Sequence, residues 1–402
     1  MKEKIVLAFS GGLDTSFCTV YLGKEKDYEV HTVIVNTGGF DDSELKVIEE
    51  KAMQYGSARH TVIDARQEYY DRCIRYLVYG NVLRNRNYPV SVSSERTFQS
   101  LKIVEYARSQ GITAMAHGST GAGNDQVRFE SVFQIIAPEI DVMAPIRDLS
   151  ISREEEIAYL SEHGFTYKAE KKDYSINKGL WGTSVGGRET LTSHMELPEE
   201  AYLDQVEKQG SEIVTLGFER GEAVSLNGHD YKNRVGLIHD LERLASKYAV
   251  GRDMHIGETI IGIKGRIGFQ AAAARLIIDA HYTLEKHVLS KWQQHWKEQL
   301  GNWYGMFVHE AQFLDPVMRD IEAFLDHSQR YVSGKVTIRL RPYSYLVTGI
   351  ESKHDLMNPQ FAKYGEENLS WDGNDVKGFT KIMSNPARIF YSINSEEKTN
   401  LF

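Results

Sequence analysis

The densest group of residues able to do chemistry is Ala8-Phe9-Ser10-Gly11-Gly12-Leu13-Asp14-Thr15-Ser16. A short apolar run over 4–9 leads into it and reads as a buried strand. Beyond it, Phe17, Val20 and Tyr21 recur at helical spacing over 13–26. A Ser-Gly-Gly turn at a helix N-terminus presents free N–H groups and the positive end of the helix dipole, which favour a phosphate. The glycines let the backbone take φ values other residues avoid, and the hydroxyls of Ser10, Thr15 and Ser16 add donors to the same rim. Asp14 places an acid beside the expected anion, an arrangement that makes sense where a divalent cation accompanies phosphates. The plainer alternative is a capped glycine turn with no ligand, against which stands the length of the string. No Gly-Lys-Ser/Thr follows, so the loop is not of the Walker A type.

Such a loop needs a scaffold, and the first 165 or so residues supply one. Apolar runs at 4–9, 29–35, 60–64, 112–117 and 140–143 alternate with amphipathic stretches at 13–26, 42–55, 66–79, 94–109 and 125–136. Strands alternating with helices predict a parallel sheet covered on both faces. In such sheets ligands bind beyond the carboxyl ends of the strands. Three strand exits, Ser10-Gly11-Gly12, Asn36-Thr37-Gly38-Gly39 and 118–124, are rich in glycine and small polar residues. One shared nucleotide site accounts for them better than three unrelated turns.

Ser152-Arg153-Glu154-Glu155 reads as a capping box opening a helix that ends near His163-Gly164. The stretch 165–198 has little periodicity, many Gly and Ser, and Trp181, and is expected to be a boundary loop lining a site. From about 200 the pattern becomes α+β. Segments 212–218 and 222–226 flank Arg220-Gly221, and Asn227-Gly228 is a turn signal, so antiparallel pairing is predicted. A helix carrying Leu237, Leu241, Leu244 and Tyr248 follows, then a strand at 259–263 and helices over 271–299 and 314–331. Segment 335–341 alternates and pairs with 343–350. Trp292 and Trp296, four residues apart, are read as a packing stripe in preference to a cofactor box. After Trp371 comes one amphipathic helix, 376–383, which suits either a docking arm for another subunit or a frayed terminus.

The bulk properties narrow the function. The chain has 402 residues, 41% hydrophobic and 26% charged, with 47 basic and 56 acidic side chains and a formal charge of −9. Phosphate-backbone affinity needs a basic face, so no nucleic-acid partner is expected. The N-terminal apolar run is too short for a signal-peptide core and no run is long enough for a membrane span, so no membrane association and a cytoplasmic location are expected. Cys18 and Cys73 form no C-x-x-C, which argues against a zinc site or a disulfide framework.

The loop resembles the pyrophosphate-binding loop of the N-type ATP pyrophosphatases. A second block is more specific: Ala116-His117-Gly118-Ser119-Thr120-Gly121-Ala122-Gly123-Asn124-Asp125-Gln126-Val127-Arg128-Phe129-Glu130. It is similar to the AHG-x-TG-x-GNDQVRFE segment of the argininosuccinate synthase family. Weaker similarity continues through Val142-Met143-Ala144-Pro145-Ile146-Arg147 and Val250-Gly251-Arg252. The resemblance implies an α/β fold: a parallel-sheet nucleotide-binding domain of the ATP pyrophosphatase type (1–168), an α+β synthetase domain (169–370) and a C-terminal oligomerisation arm (371–402). It also implies a reaction, in which citrulline attacks the α-phosphorus of ATP to give a citrullyl-adenylate and pyrophosphate, and aspartate then displaces AMP. ATP is thereby a substrate, Mg²⁺ its companion, and a homotetramer the expected assembly. Residues 8–16 (Ala8 to Ser16), with Val35 and Gly118, would hold ATP. Thr120, Asn124 and Asp125 would bind aspartate. Citrulline would meet Tyr88, Ser93, Asn124, Arg128, Ser175, Ser184, Glu258 and Phe269. Asp14, Asn124, Asp125 and Arg128 would carry the catalysis, and no protein-held metal is implied. Catalysis of this kind depends on placement and charge neutralisation, which fits the lack of any Ser/His/Asp or Cys/His motif.

The departures from the family gather in one place. Its Tyr-x-x-Gly-Thr-Ser-x-Ala-Arg-Pro run corresponds here to Tyr88 through Arg96, with Ser91-Val92 for Gly-Thr and Ser94-Glu95-Arg96 for Ala-Arg-Pro. A family Glu falls on Gly257, with Glu258 one place off. The Tyr twelve residues on is Phe269, and Glu-Thr-Pro is Gln270-Ala271-Ala272. Two readings stand: drift in a tolerant pocket, or a citrulline modified on its α-amine, for example acylated, which has no ammonium for a carboxylate to face. Other function classes are a tRNA-thiolating ATP pyrophosphatase, opposed by the acidic charge and the lack of paired cysteines, and a non-catalytic nucleotide sensor.

Overall fold

The computed structural model describes residues 2–167, 173–357 and 370–399. The chain divides into two compact units, Met1–His354 and Asp355–Phe402.

The first unit begins with the predicted parallel sheet. Strands β1 (Lys4–Ala8), β2 (Glu29–Asn36), β3 (Arg59–Asp64), β4 (Ala114–Ala116) and β5 (Asp141–Met143) lie in the order β3-β2-β1-β4-β5, with every pair parallel. Alternate side chains of β1 feed opposite faces. Val6 and Ala8 pack with Val33, Val35 and Met115 under Ile103, Val104, Phe129 and Phe133. Ile5 and Leu7 pack with Ile34 and Ala114 against Phe17, Leu22, Ile48 and Ile146. Because β1 has β2 on one side and β4 on the other, the crossovers leave it in opposite directions, and the crevice where ligands bind in such sheets lies at its carboxyl end.

The helices follow their patterns with two refinements. The 66–79 stretch is helical but carries a π-helical turn, Tyr70–Ile74, in its middle. The next helix is Ser91–Ser109 and starts earlier than 94, because Val90 takes a left-handed conformation (φ 59°) and turns the chain into it. Segment 69–90 also leaves the parallel sheet: Tyr69, Ile74, Leu77, Tyr79 and Val90 share a core with Leu237, Leu276 and Ile338 from the second half of the chain.

That second half builds two antiparallel sheets. Strands β6 (Tyr174–Asn177) and β7 (Thr183–Gly187) join β11 (Arg252–Glu258) and β12 (Lys264–Gln270) in the order β11-β12-β7-β6. Strands β8 (Glu212–Glu219), β9 (Glu222–Leu226), β10 (His229–Asp230), β13 (Gly334–Arg341) and β14 (Ser344–Glu351) form the other, ordered β10-β9-β8-β13-β14. The helix Ala272–Val288 buries Leu276, Ile277, Ala280 and Leu284 with Val214, Leu216, Val336 and Ile338 of that sheet.

Three expectations are corrected here. Segment 259–263 is the turn joining β11 to β12 and not a strand: Thr259 and Ile263 close it (Thr259 N–H to the Ile263 carbonyl, 2.8 Å), and Gly262 takes φ 82°. The 271–299 helix is two helices, Ala272–Val288 and Lys291–His309, because Ser290 starts a new one with a capping box to Gln293. Trp292 and Trp296 form no buried packing stripe: they are 65% and 57% exposed, while the helix buries Lys297, Gly301, Tyr304 and Val308 on another face. Of the 165–198 stretch, residues 168–172 lie outside the described residues.

The second unit carries three helices, Gly373–Met383, Asn385–Ile393 and Ser395–Thr399, the first opened by a capping box on Asp372. Val376, Phe379, Ile382, Ile389, Phe390 and Ile393 are exposed.

Candidate active site

A cavity of about 880 Å³ opens at the carboxyl ends of β1, β2 and β4 and is closed on its far side by the 88–96 segment, β7 and the β11–β12 hairpin. The three glycine-rich strand exits meet there, with Phe9, Ser10, Thr37, Gly39, Gly118 and Thr120 all in its wall.

The loop after β1 is shaped for an anion. Gly11 takes φ 76°, and Gly12 at the N-cap of Leu13–Lys24 leaves the first-turn N–H groups without a side-chain acceptor. The Ser16 hydroxyl turns back to the Gly12 carbonyl at 2.8 Å, and Ser10 N–H reaches Thr15 Oγ1 at 3.4 Å. Of the residues expected to hold ATP, Ala8, Phe9, Ser10, Asp14, Thr15, Val35 and Gly118 line the cavity. Gly11 and Gly12 shape the turn, while Leu13 and Ser16 are buried, Leu13 in an apolar cluster with Val20 and Leu160. Gly118 presses the β4 exit onto the helix start, where a Cβ would come within 3.0 Å of Thr15 Cγ2 and 3.3 Å of its nitrogen.

Asp14 has a partner the sequence did not announce. Its carboxyl is pushed above the usual range by burial, and its charge acts on Glu156, a buried residue of the helix Arg153–Glu162. Burial, and after it the Asp14 charge, push Glu156 up to about 7. Glu156 Oε2 is buried with no hydrogen-bond partner. Two carboxyls at the phosphate loop fit a divalent cation that draws its other ligands from phosphate oxygens and water. Among the described residues no group of three or more His, Cys, Asp or Glu is placed to hold a metal alone.

The second motif folds into the opposite lip of the same opening. Thr120, Asn124, Asp125 and Arg128 all line the cavity, the last two from the first turn of the helix Asp125–Ile136. Asp125 lies between two guanidinium groups, Arg96 Nε at 2.8 Å and Arg128 Nη1 at 3.0 Å. Burial pushes its carboxyl up, but the two arginines outweigh burial and bring it down to about 2. Arg128 is anchored further by the His309 carbonyl at 3.3 Å. The Asn124 amide oxygen accepts the Ile260 N–H at 2.9 Å, so the tip of the β11–β12 hairpin reaches the motif.

The residues expected for citrulline are less evenly placed. Tyr88, Ser93, Ser184 and Glu258 line the cavity. Glu258 sits at the rim, 66% exposed and 3.3 Å from Lys264. Phe269 is fully buried behind Tyr88, with ring centroids 5.4 Å apart, and Ser175 is exposed on β6; neither forms part of the cavity wall.

Three further side chains belong to the wall. Counted without a gap from Tyr88, the family's Tyr-x-x-Gly-Thr-Ser-x-Ala-Arg-Pro run retains its Arg as Arg96, and Glu95 stands on its Ala, which corrects the alignment given above by one place. Simple counting would have found this. Glu95 is buried, accepts the Thr37 hydroxyl at 2.9 Å, and is pushed up to about 8 by burial against the pull of Arg96. His255 stacks on Tyr88, centroids 4.8 Å apart and planes 27° from parallel, and burial together with Arg84 brings its pKa down to about 4. A Cβ on Gly257 would lie 2.8 Å from His255 Nε2. No sequence signal marked His255, since its relation to Tyr88 exists only after the hairpin folds across the cavity.

The comparisons with known proteins place both halves of the chain in one family. The family model for the argininosuccinate synthase N-terminal HUP domain matches residues 4–166, and that for the C-terminal domain matches 174–390. The argininosuccinate synthase of Methanococcus maripaludis is 37% identical over 396 residues, covering 97% of this chain and 98% of that protein. Those of Methanocaldococcus jannaschii and Dictyoglomus turgidum are each 36% identical, covering 97% and 95% of this chain and 98% and 96% of theirs. The chain belongs to the argininosuccinate synthase family, carbon–nitrogen ligases that use ATP to join citrulline and aspartate.

Proposed function

We propose that this chain joins L-aspartate to a citrulline acylated on its α-amine, forming an N-acyl argininosuccinate, AMP and pyrophosphate. The observation that carries the substrate is the wall at Gly257. Where the family presents a carboxylate, this chain has a glycine covered by an imidazole, and Glu258 faces solvent and Lys264. Glu95, the acid added on the helix side, holds its proton at neutral pH because it is buried. A free α-ammonium therefore finds no ionised partner on this side, whereas an amide needs none.

In the first step the ureido oxygen attacks the α-phosphorus and pyrophosphate leaves. In the second the aspartate amine attacks the activated ureido carbon and AMP leaves. Residues 8–16, Val35 and Gly118 hold ATP, with the first-turn N–H groups facing its phosphates. Asp14, backed by Glu156, would hold Mg²⁺, which neutralises charge on the departing pyrophosphate. Thr120, Asn124 and Asp125 receive aspartate. Asp125 stays ionised at any physiological pH and serves as a counter-charge for the substrate ammonium, being far too weak a base to remove its proton. Asn124, Arg128, Tyr88, Ser93 and Ser184 position the citrulline. The 371–402 segment, with its exposed apolar side chains, serves as an arm between copies in a homotetramer, and the enzyme works in the cytoplasm.

The test is pyrophosphate release with ATP, Mg²⁺, aspartate and either citrulline or Nα-acetylcitrulline, each component omitted in turn. The acetylated substrate is expected to give the higher kcat/KM. A higher value for free citrulline sinks the acylated substrate and leaves the ligase standing. Release that depends on neither amino acid sinks the ligase reading as well.

A further inference from the structure

We propose that His255 is the specificity-determining residue of the citrulline wall, its Nε2–H donating a hydrogen bond to the acyl carbonyl of the substrate. This rests on the reading above that the α-amine is acylated, and adds to it the group that recognises the acyl function.

Three observations place the ring for that task. First, Nε2 stands 2.8 Å from where a Cβ on Gly257 would begin, so the imidazole occupies the ground from which the family's carboxylate would grow. Ring and side chain exclude one another. Second, Nδ1 is buried with no hydrogen-bond partner. Stranding a bare lone pair is less unfavourable than stranding an N–H, so the ring proton resides on Nε2, toward Gly257 and the cavity. Third, the ring cannot swing freely: it is stacked on Tyr88, which is itself held edge-on by Phe269. A preorganised donor at fixed height reads one acceptor position.

The electrostatics select the same partner. The charged groups acting on the ring are Arg84, which disfavours its protonation, and Asp253, which opposes that effect and accepts a hydrogen bond from Asn87 at 3.0 Å. With burial added, the ring is uncharged at neutral pH. It thus offers one N–H and no negative charge, which suits a carbonyl oxygen and repels an ammonium.

The test compares full-length wild type, His255→Ala, His255→Gln and Gly257→Ala, each checked for an unchanged melting profile. The quantity read is the ratio of kcat/KM for Nα-acetylcitrulline to that for citrulline. His255→Ala is expected to lower the ratio about tenfold, the worth of about one hydrogen bond, through KM. His255→Gln, whose amide also donates, restores most of it. Gly257→Ala keeps the histidine but displaces its ring, and should lower the ratio as well; it covers the case in which His255→Ala fails to fold. A wild type that prefers the acetylated substrate, with a ratio unmoved by His255→Ala and Gly257→Ala, overturns the role of His255 and leaves the acylated substrate standing. A wild type that prefers citrulline overturns both. An equal loss for both substrates also overturns it, since the ring then serves the shared α-carboxylate or the packing of Tyr88.

Discussion

The two sides of the cavity are built on different principles. The side we assign to phosphate and aspartate comes from turns at the ends of adjacent parallel strands, and its residues are contiguous in sequence: 8–16 and 116–130. Its main instruments are backbone N–H groups and the Asp125 counter-charge, gripped by Arg128 from its own helix and by Arg96 reaching across from the far side. The opposite wall is assembled from three distant segments, around Tyr88, Ser184 and the His255–Gly257 stretch of β11, that meet only when an antiparallel hairpin folds over the opening. A surface made by local geometry tolerates little change. One made by assembly offers independent places to change what is recognised.

That contrast can be broken or sharpened by substitution. Asp125→Asn should be the most damaging, because it leaves two guanidinium groups facing one another and removes the counter-charge for aspartate. With charged hydrogen bonds worth ~1.5–3 kcal/mol each, kcat/KM for aspartate should fall ~10²-fold in steady-state assays. Gly11→Ala should come next. Its φ of 76° disfavours any side chain, and the new Cβ would meet Ile48 Cγ1 at 3.1 Å. A loss of ~1–2 kcal/mol in stability, read by denaturant unfolding, should accompany weaker ATP binding.

Glu95→Gln tests the far wall through pH. A buried acid raised to about 8 from an ordinary value near 4.5 favours its protonated form in the folded protein. Folding therefore carries no penalty from it below about pH 4.5, and loses ground as pH climbs from there toward 8. The variant and wild type should melt alike at pH 4 and separate in the variant's favour by pH 8, by at least ~1.4 kcal/mol, the value of one pKa unit. Coincident melts across that range would show the carboxyl to be ionised in the fold. Smallest of all is the pair of serines. Ser184→Ala should cost about one neutral hydrogen bond, ~1 kcal/mol, in the citrulline kcat/KM. Ser175→Ala should stay within twofold, since Ser175 is off the cavity wall.

What could be read from the sequence divides along the same line. The parallel sheet was legible because its signals are periodic and local. The strand exits carried the glycines that mark close backbone approach, as Gly11 and Gly118 show. Apolar patterning misled where composition imitates a strand: residues 259–263 are rich in β-branched side chains, but Gly262 turns the chain back. It misled again at Trp292 and Trp296, where the large aromatics face outward and the helix buries two glycines beside Tyr304 and the whole of Lys297, whose ammonium pairs with Glu285 at 2.7 Å. The Asp14–Glu156 and Tyr88–His255 contacts span more than 140 residues of chain, and no spacing rule reaches that far.

The excursion of residues 69–90 out of the sheet's own cores has a consequence for dissecting this enzyme. Covalent order assigns Tyr69, Ile74, Leu77 and Tyr79 to the nucleotide-binding half, yet their apolar cover comes from Leu237, Leu276 and Ile338. A scissile point chosen near residue 168 would separate these side chains from what shields them, leaving a sticky fragment and a hollow one. Grafting the ATP-handling half onto another synthetase would have to carry that borrowed cover along. The helix Ser91–Ser109, whose first turns bear Ser93, Glu95 and Arg96, is in effect moored at both ends to different masses, so tension on either is felt at the cavity wall.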